Sequence, residues 1–141
     1  MEFKKTINQT HQDKMKYLSD YMEEKQTALF NKTGTIFAFS QKQFDEQAIK
    51  GKQYSRIGQG MLTQKGNEMK VIETLEKIYQ QAIIQDLKEN GIKGVIQREL
   101  ENYEVYYTND LEPAMEALKD YPEITQKDII KVYQRKWNEE K

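Results

Sequence analysis

The longest regular pattern of apolar and polar positions in this chain runs from Gln64 to Asn90. Val71, Leu75, Ile78 and Ala82 recur at three- and four-residue steps, and Ile72, Tyr79, Ile83 and Leu87 widen the stripe. That is the period of a helix with one buried face. Glu73, Glu76, Lys77, Gln80, Gln81, Lys88 and Glu89 fill the other side. Thr63 is placed to cap the start, and Gly66 weakens the first turn and moves the start towards Asn67. Asn90-Gly91 closes the run, because glycine accepts the left-handed turn that ends helices. Helical spacing resumes from Gly94 to Tyr103 through Val95, Ile96 and Leu100. Residues 104–108 are β-branched and aromatic, and read equally as strand or as a last helical turn.

Shorter patterns flank this core. Residues 1–9 read as a polar, flexible tail. Thr10 is placed to cap a helix from His11 to Leu29, with Met15, Leu18, Met22 and Leu29 on its apolar face. Thr35 to Phe39 is β-branched and aromatic, hence a short strand. Ser40 with Gln43 three residues on matches a capping box for a short helix through Ile49. Gly58 and Gly60 read as a bend in a second strand, 57–62, pairing with 35–39. A dinucleotide loop would need a third glycine that is not there. Asn109-Asp110 turns the chain into a short helix, 111–119, with Pro113 in its first turn. Thr125 to Asp128 caps a last helix carrying Ile130, Tyr133 and Trp137, with Trp137 read as its core anchor. The expected fold is α+β and predominantly α-helical. About five helices accompany the long one, at about 64–90, with a small antiparallel ribbon from 35–39 and 57–62, all in a single domain.

Composition narrows the chemistry. There are no cysteines and one histidine, His11. Disulfides, thiolate catalysis, cysteine-held zinc and histidine-rich metal sites are therefore not expected. Ser40 has no base in reach, so no catalytic residue is assigned. Neither a cofactor nor a metal site is expected. Glu101 and Glu104 would share a face if the helix persisted, but nothing marks the further ligands of a carboxylate-metal enzyme, the weakest reading kept open. No apolar run approaches the roughly 20 residues of a membrane helix. Nothing resembles a secretion signal, and a cytoplasmic protein is expected.

Acidic and basic residues nearly balance, for a net charge of −1, yet they are segregated. Residues 98–123 carry Arg98 and Lys119 against eight acids. Four tyrosines are interleaved: Tyr103, Tyr106, Tyr107 and Tyr121. Tyrosine offers stiff contact area, and carboxylates pair with cations on a partner. Arg98, Glu101, Asn102, Glu104, Tyr106, Tyr107, Asp110 and Glu112 form the candidate protein-binding set. The bland alternative is a solvated helix face with a few core tyrosines. Residues 41–70 are net +3. Lys42, Lys50, Lys52, Arg56 and Lys65 form the alternative, nucleic-acid-binding set. Oligomeric state is left open.

Three stretches together carry a resemblance. They are Ile36-Phe37-Ala38-Phe39-Ser40-Gln41-Lys42-Gln43-Phe44, then Ile57-Gly58-Gln59-Gly60-Met61, then Arg98-Glu99-Leu100-Glu101-Asn102-Tyr103-Glu104 leading to Tyr107-Thr108-Asn109-Asp110. The chain resembles small uncharacterised proteins carried by bacterial phages and mobile genetic elements. The resemblance covers about residues 35–135 and transfers no catalytic residue. It implies a phage or mobile-element origin, and small proteins of that origin often bind and block a host protein, immune nucleases included. With no histidine pair, cysteine or phosphate loop, and with an acid–tyrosine segment suited to a basic surface, the leading expectation is a non-enzymatic accessory protein that binds a macromolecular partner, an inhibitor of a host protein of the anti-defence or anti-CRISPR type.

Overall fold

Helix-forming sequence dominates the chain, but glycines and strand formers divide it. The computed structural model describes residues 16–139, with backbone alone for 137–139. A 3-10 turn at Leu18–Tyr21 leads into α1 (Glu23–Thr33), β1 (Ile36–Phe37), α2 (Gln41–Gln47), β2 (Tyr54–Gly58) and β3 (Met61–Gln64). Then come α3 (Glu68–Asn102), α4 (Val105–Thr108), α5 (Glu112–Leu118) and α6 (Gln126–Glu139). The expected class, predominantly helical α+β with a long helix and a small antiparallel sheet, is what the structure has. The described residues fall into two compact units: 19–82, and 83–139 with 16–18. Helix α3 runs from the first into the second.

In the 19–82 unit the sheet order is β1-β3-β2, antiparallel throughout. Ile36 pairs with Leu62 and Arg56 also pairs with Leu62 from the other side. The expected single strand 57–62 is thus two strands. Gln59 and Gly60 make the hairpin turn, with Gly60 at φ 71 and a register shift between Arg56 and Gly58. A side chain at Gly60 would also collide with the Phe39 ring lying over it. Strands this short form few ladder bonds, and buried hydroxyls supplement them. Thr33 Oγ1 donates to Leu29 O at 2.8 Å and Thr63 Oγ1 to Thr33 O at 3.2 Å. Thr35 Oγ1 lies 2.7 Å from Thr33 Oγ1 and 3.1 Å from Thr63 Oγ1.

Thr63 is therefore a buried strand residue rather than a helix cap, and α3 starts at Glu68, later than Gln64. The apolar cluster is Leu29, Val71 and Ile78, with Met22, Phe30, Ile57 and Leu75 against it. Ser40 and Gln43 do form the expected cap: Ser40 Oγ accepts from Gln43 N, and Gln43 Oε1 accepts from Phe39 N. The helix expected from His11 to Leu29 is replaced, where described, by the 3-10 turn and α1, which Gly34 closes. Thr10 and His11 lie outside the described residues, as does the side chain of Trp137.

The 83–139 unit is built on a break. Gly91 has φ 72 and ψ 163, with helix on either side. The expected stop at Asn90-Gly91 is real, and the chain resumes helix at once. Ile83, Val95, Ile96, Leu100, Val105, Ala114, Leu118, Tyr121 and Ile129 are buried. Residues 105–108 resolve as helix, not strand. Thr125 and Asp128 cap α6 reciprocally, N–H to side chain both ways, at 3.0 and 3.1 Å.

The backbone at Gly91 is in a region only glycine occupies freely. Gly91→Ala is expected to destabilise the protein by about 1–3 kcal/mol. Gly94 has ordinary helical geometry, and an added Cβ would meet only Asn90 Cβ at 3.6 Å. Gly94→Ala is expected to stabilise by about 0.5–1 kcal/mol. Urea unfolding of the two variants checks the contrast in sign.

Candidate functional site

Asp86 and Arg98 stand on the two arms of α3, twelve residues apart. In one straight helix that separation is about 18 Å along the axis, too far for direct contact. The break at Gly91 brings them together. Arg98 Nη1 donates to Asp86 Oδ1 at 2.7 Å and Nη2 to Oδ2 at 2.9 Å, a bidentate pair. Tyr121 OH donates to Oδ2 at 2.6 Å and Asn90 Nδ2 to Oδ1 at 2.7 Å. The carboxylate thus accepts four hydrogen bonds, its full capacity. Arg98 also donates through Nε to Glu99 Oε2 at 2.7 Å and through Nη1 to Lys16 O at 3.1 Å. Its guanidinium carbon lies 5.7 Å from the Tyr17 ring centroid, a cation–π distance.

Asp86 is fully buried and Arg98 nearly so. Burial alone would raise the Asp86 carboxyl, but hydrogen bonds from Arg98, Tyr121 and Asn90 outweigh it and hold the group below its ordinary value. Burial, reinforced by the bond to Asp86, pushes the Tyr121 phenol well above its ordinary value. Asp86 is therefore a closed anion and Tyr121 a permanent donor. Neither is a base or a nucleophile. This cluster is scaffold, and it corrects one expectation: Arg98, placed in the partner-binding set, is a core residue engaged on three sides. Asp86, Asn90 and Tyr121 were not singled out as a site. The available signal was position, since Asp86 falls on the apolar stripe of Ala82, Ile83 and Leu87.

The rest of the acid–tyrosine set lies around the end of α3. Glu101 is exposed and pairs with Lys136 Nζ at 3.1 Å. Asn102 Nδ2 reaches Glu99 Oε1 at 3.5 Å. Helix α3 ends at Asn102, and Glu104 sits beyond it in a left-handed conformation, φ 52. Glu101 and Glu104 therefore do not share one helix face. Tyr106 is half-buried and stacks on Tyr133, centroids 5.4 Å apart at 15°, with Lys136 Nζ 5.5 Å from the Tyr106 ring. Tyr107, by contrast, is 88% exposed. Asn109 is again left-handed, φ 60. The Asp110 carboxylate accepts from Glu112 N at 3.1 Å, at the head of α5. Glu104, Asp110 and Glu112, within five residues of Tyr107 along the chain, are exposed. Leu100 and Leu118 are buried, while Leu111 is only half-buried.

The basic set lies in the 19–82 unit. Lys42, Lys50, Lys52, Arg56 and Lys65 are all exposed. The bond from Lys65 N to Gln53 O brings the Lys52 and Lys65 positions to one end of the β2–β3 ladder. Lys42 heads α2, and Arg56 lies mid-strand with Nε near Gly58 O. No group of three or more histidine, cysteine or acidic side chains suited to a metal ion occurs among the described residues. No helix among them is long and apolar enough to cross a membrane.

Residues 18–139 match the model of a family of unknown function, DUF7659. No curated protein and no solved structure matches the chain.

The Asp86 cluster makes stability depend on pH in one direction. The folded carboxyl lies below its unfolded value of about 3.9, so its contribution is present above that value and is lost as pH falls through the folded one. Asp86→Asn is expected to cost about 1–3 kcal/mol near neutral pH, because Arg98 loses its bidentate partner and keeps only Glu99 as counter-charge. Between about pH 5 and pH 2 the variant should lose less further stability than wild type. Urea unfolding of both chains across that range reads the difference.

Proposed function

The chain belongs to the DUF7659 family, and we propose that it is a non-catalytic binding protein whose contact surface is the turn from Tyr103 to Glu112, directed at a basic patch on a partner protein. One observation carries this reading. Tyr107 is 88% exposed on a turn that two left-handed, non-glycine residues, Glu104 and Asn109, hold in place. Left-handed backbone costs an L-residue about 1–2 kcal/mol, and such conformations concentrate where function uses them. The turn is firm. Thr108 N donates to Glu104 O and Asn109 N to Val105 O at 2.7 Å, and the neighbouring Tyr106 is stacked on Tyr133. A ring carried on backbone that is already ordered has only its own side-chain rotation to lose on binding. Exposed Glu104, Asp110 and Glu112 supply steering towards lysine and arginine.

The resemblance to phage and mobile-element proteins supports a host protein as the partner and inhibition as the outcome. A nuclease channel, basic because it holds nucleic acid, is a surface of matching charge.

The test uses the purified chain as bait in a bacterial lysate beside Tyr107→Ala and Glu104→Lys. Both variants should fold, with stability changes of about 0.5 kcal/mol or less for exposed positions. Tyr107→Ala should weaken capture by about 2 kcal/mol or more, as loss of a central aromatic anchor does. Capture that survives both substitutions in folded protein sinks the reading. A gel shift abolished by Lys52→Glu with Lys65→Glu, but kept by Tyr107→Ala, would move the function to nucleic acid and the 41–70 residues.

A further inference from the structure

A groove of about 220 Å³ opens in the 83–139 unit between the second arm of α3 and α6. Its floor is apolar: Ile92, 38% exposed, Ile96 and Val132. Its rim carries Lys93 from α3 and Lys131 and Arg135 from α6, one helical turn apart. The acid in the lining, Asp128, is tied to Thr125 as the α6 cap. The groove is thus cationic around an apolar base. An occupant of matching chemistry would be an aromatic ring flanked by carboxylates. The same unit carries such a feature: Tyr107 with Glu104, Asp110 and Glu112. Stacking of Tyr106 on Tyr133 anchors that turn to the α6 side that also holds Lys136 against Glu101. Lys131, Val132 and Arg135 line the groove.

We infer that a second copy of this chain fills the groove, its Tyr107 turn seated over Ile92 and Val132 with its carboxylates against Lys93, Lys131 and Arg135. The inference rests on the Tyr107 surface proposed above and names a partner for it. The contact is small, so association is weak and reversible. It also covers Tyr107 in the resting protein, so that a foreign basic partner must displace it. Knob and socket are different patches: one copy's groove takes another's turn, once in a head-to-tail contact or twice in a two-fold pair.

That asymmetry supplies the experiment. Sedimentation equilibrium on the full chain should show concentration-dependent association up to about 1 mM. Raising salt from about 0.05 to 0.5 M should weaken it. Tyr107→Ala, which loses the knob, and Lys131→Glu/Arg135→Glu, which loses the socket, should each associate at least tenfold more weakly while keeping the wild-type circular dichroism. Mixed together they should form a one-to-one pair, since one keeps the socket and the other the knob. A wild-type chain that stays monomeric overturns the inference. So does association unchanged in either variant, or a mixture that forms no pair. A monomeric chain that captures a lysate protein through Tyr107 would sink self-association and leave the binding function standing. A monomeric chain whose capture is lost in Lys131→Glu/Arg135→Glu would give the groove to an acidic foreign segment instead.

Discussion

The contact between Asp86 and Arg98 governs the 83–139 unit. A buried ion pair gains little net stability over apolar residues of the same shape, because both charges lose their hydration. What a bidentate pair does fix is orientation. Nη1 meets Oδ1 and Nη2 meets Oδ2 in one rotation of the second arm of α3. In that rotation Val95, Ile96 and Leu100 are buried and Glu101 faces Lys136. Tyr121 then closes the anion, and its bond to Asp86 sets where the chain leaves α5. The break at Gly91 and the pair depend on each other. Without a residue free to adopt φ 72 the arms could not fold back, and the pair then selects one return angle together with the burial of Ile83, Val95, Ile96 and Leu100.

The 19–82 unit solves a similar problem with neutral groups. Its strands have two to five residues, too few for the ladder alone to hold the sheet on the helices. Three threonine hydroxyls link the end of α1, β1 and β3. Asn67 adds a bond from the head of α3 to Thr33 O at 3.0 Å. Neutral hydrogen bonds cost less to bury than charges and need no counter-ion. These threonine and asparagine links therefore carry no titrating group, unlike the Asp86 cluster.

What could be read from the sequence followed from local rules. The stripe through Val71, Ile78 and Ala82, the Ser40–Gln43 and Thr125–Asp128 caps and the stop at Gly91 depend on neighbours within a few residues, and they appear where the pattern puts them. Thr63 misled because a threonine before a helix caps it only if nothing else claims its hydroxyl; here Thr33 O does. The 57–62 bend hid a hairpin because Gly58 and Gly60 serve a bulge and a two-residue turn equally well. Arg98 misled for the same reason. Its surroundings, Glu99 and Glu101, look like a charged surface, and only the reversal at Gly91 shows that its counter-charge is Asp86. The candidate surface was legible as composition, acid with tyrosine. Which tyrosine faces outward was not, because that depends on the left-handed turn at Glu104.

That turn separates two adjacent and chemically identical residues. Tyr106 is drawn onto Tyr133 and under Lys136, where its ring adds to the packing of α4 on α6. Tyr107, one residue on, is left 88% in water. Both lie in α4, where successive positions are turned by about 100°, so the two rings leave the helix in different directions. The left-handed step at Glu104 sets the direction of that single turn, and Asn109 ends it before it can grow. Stability alone favours glycine at both positions. Asparagine at the second adds a bond that glycine could not: Asn109 Oδ1 accepts from Tyr133 OH at 2.7 Å, so that residue also fastens the turn to α6. The conformational cost thus falls on the two residues that bound the turn carrying Tyr107.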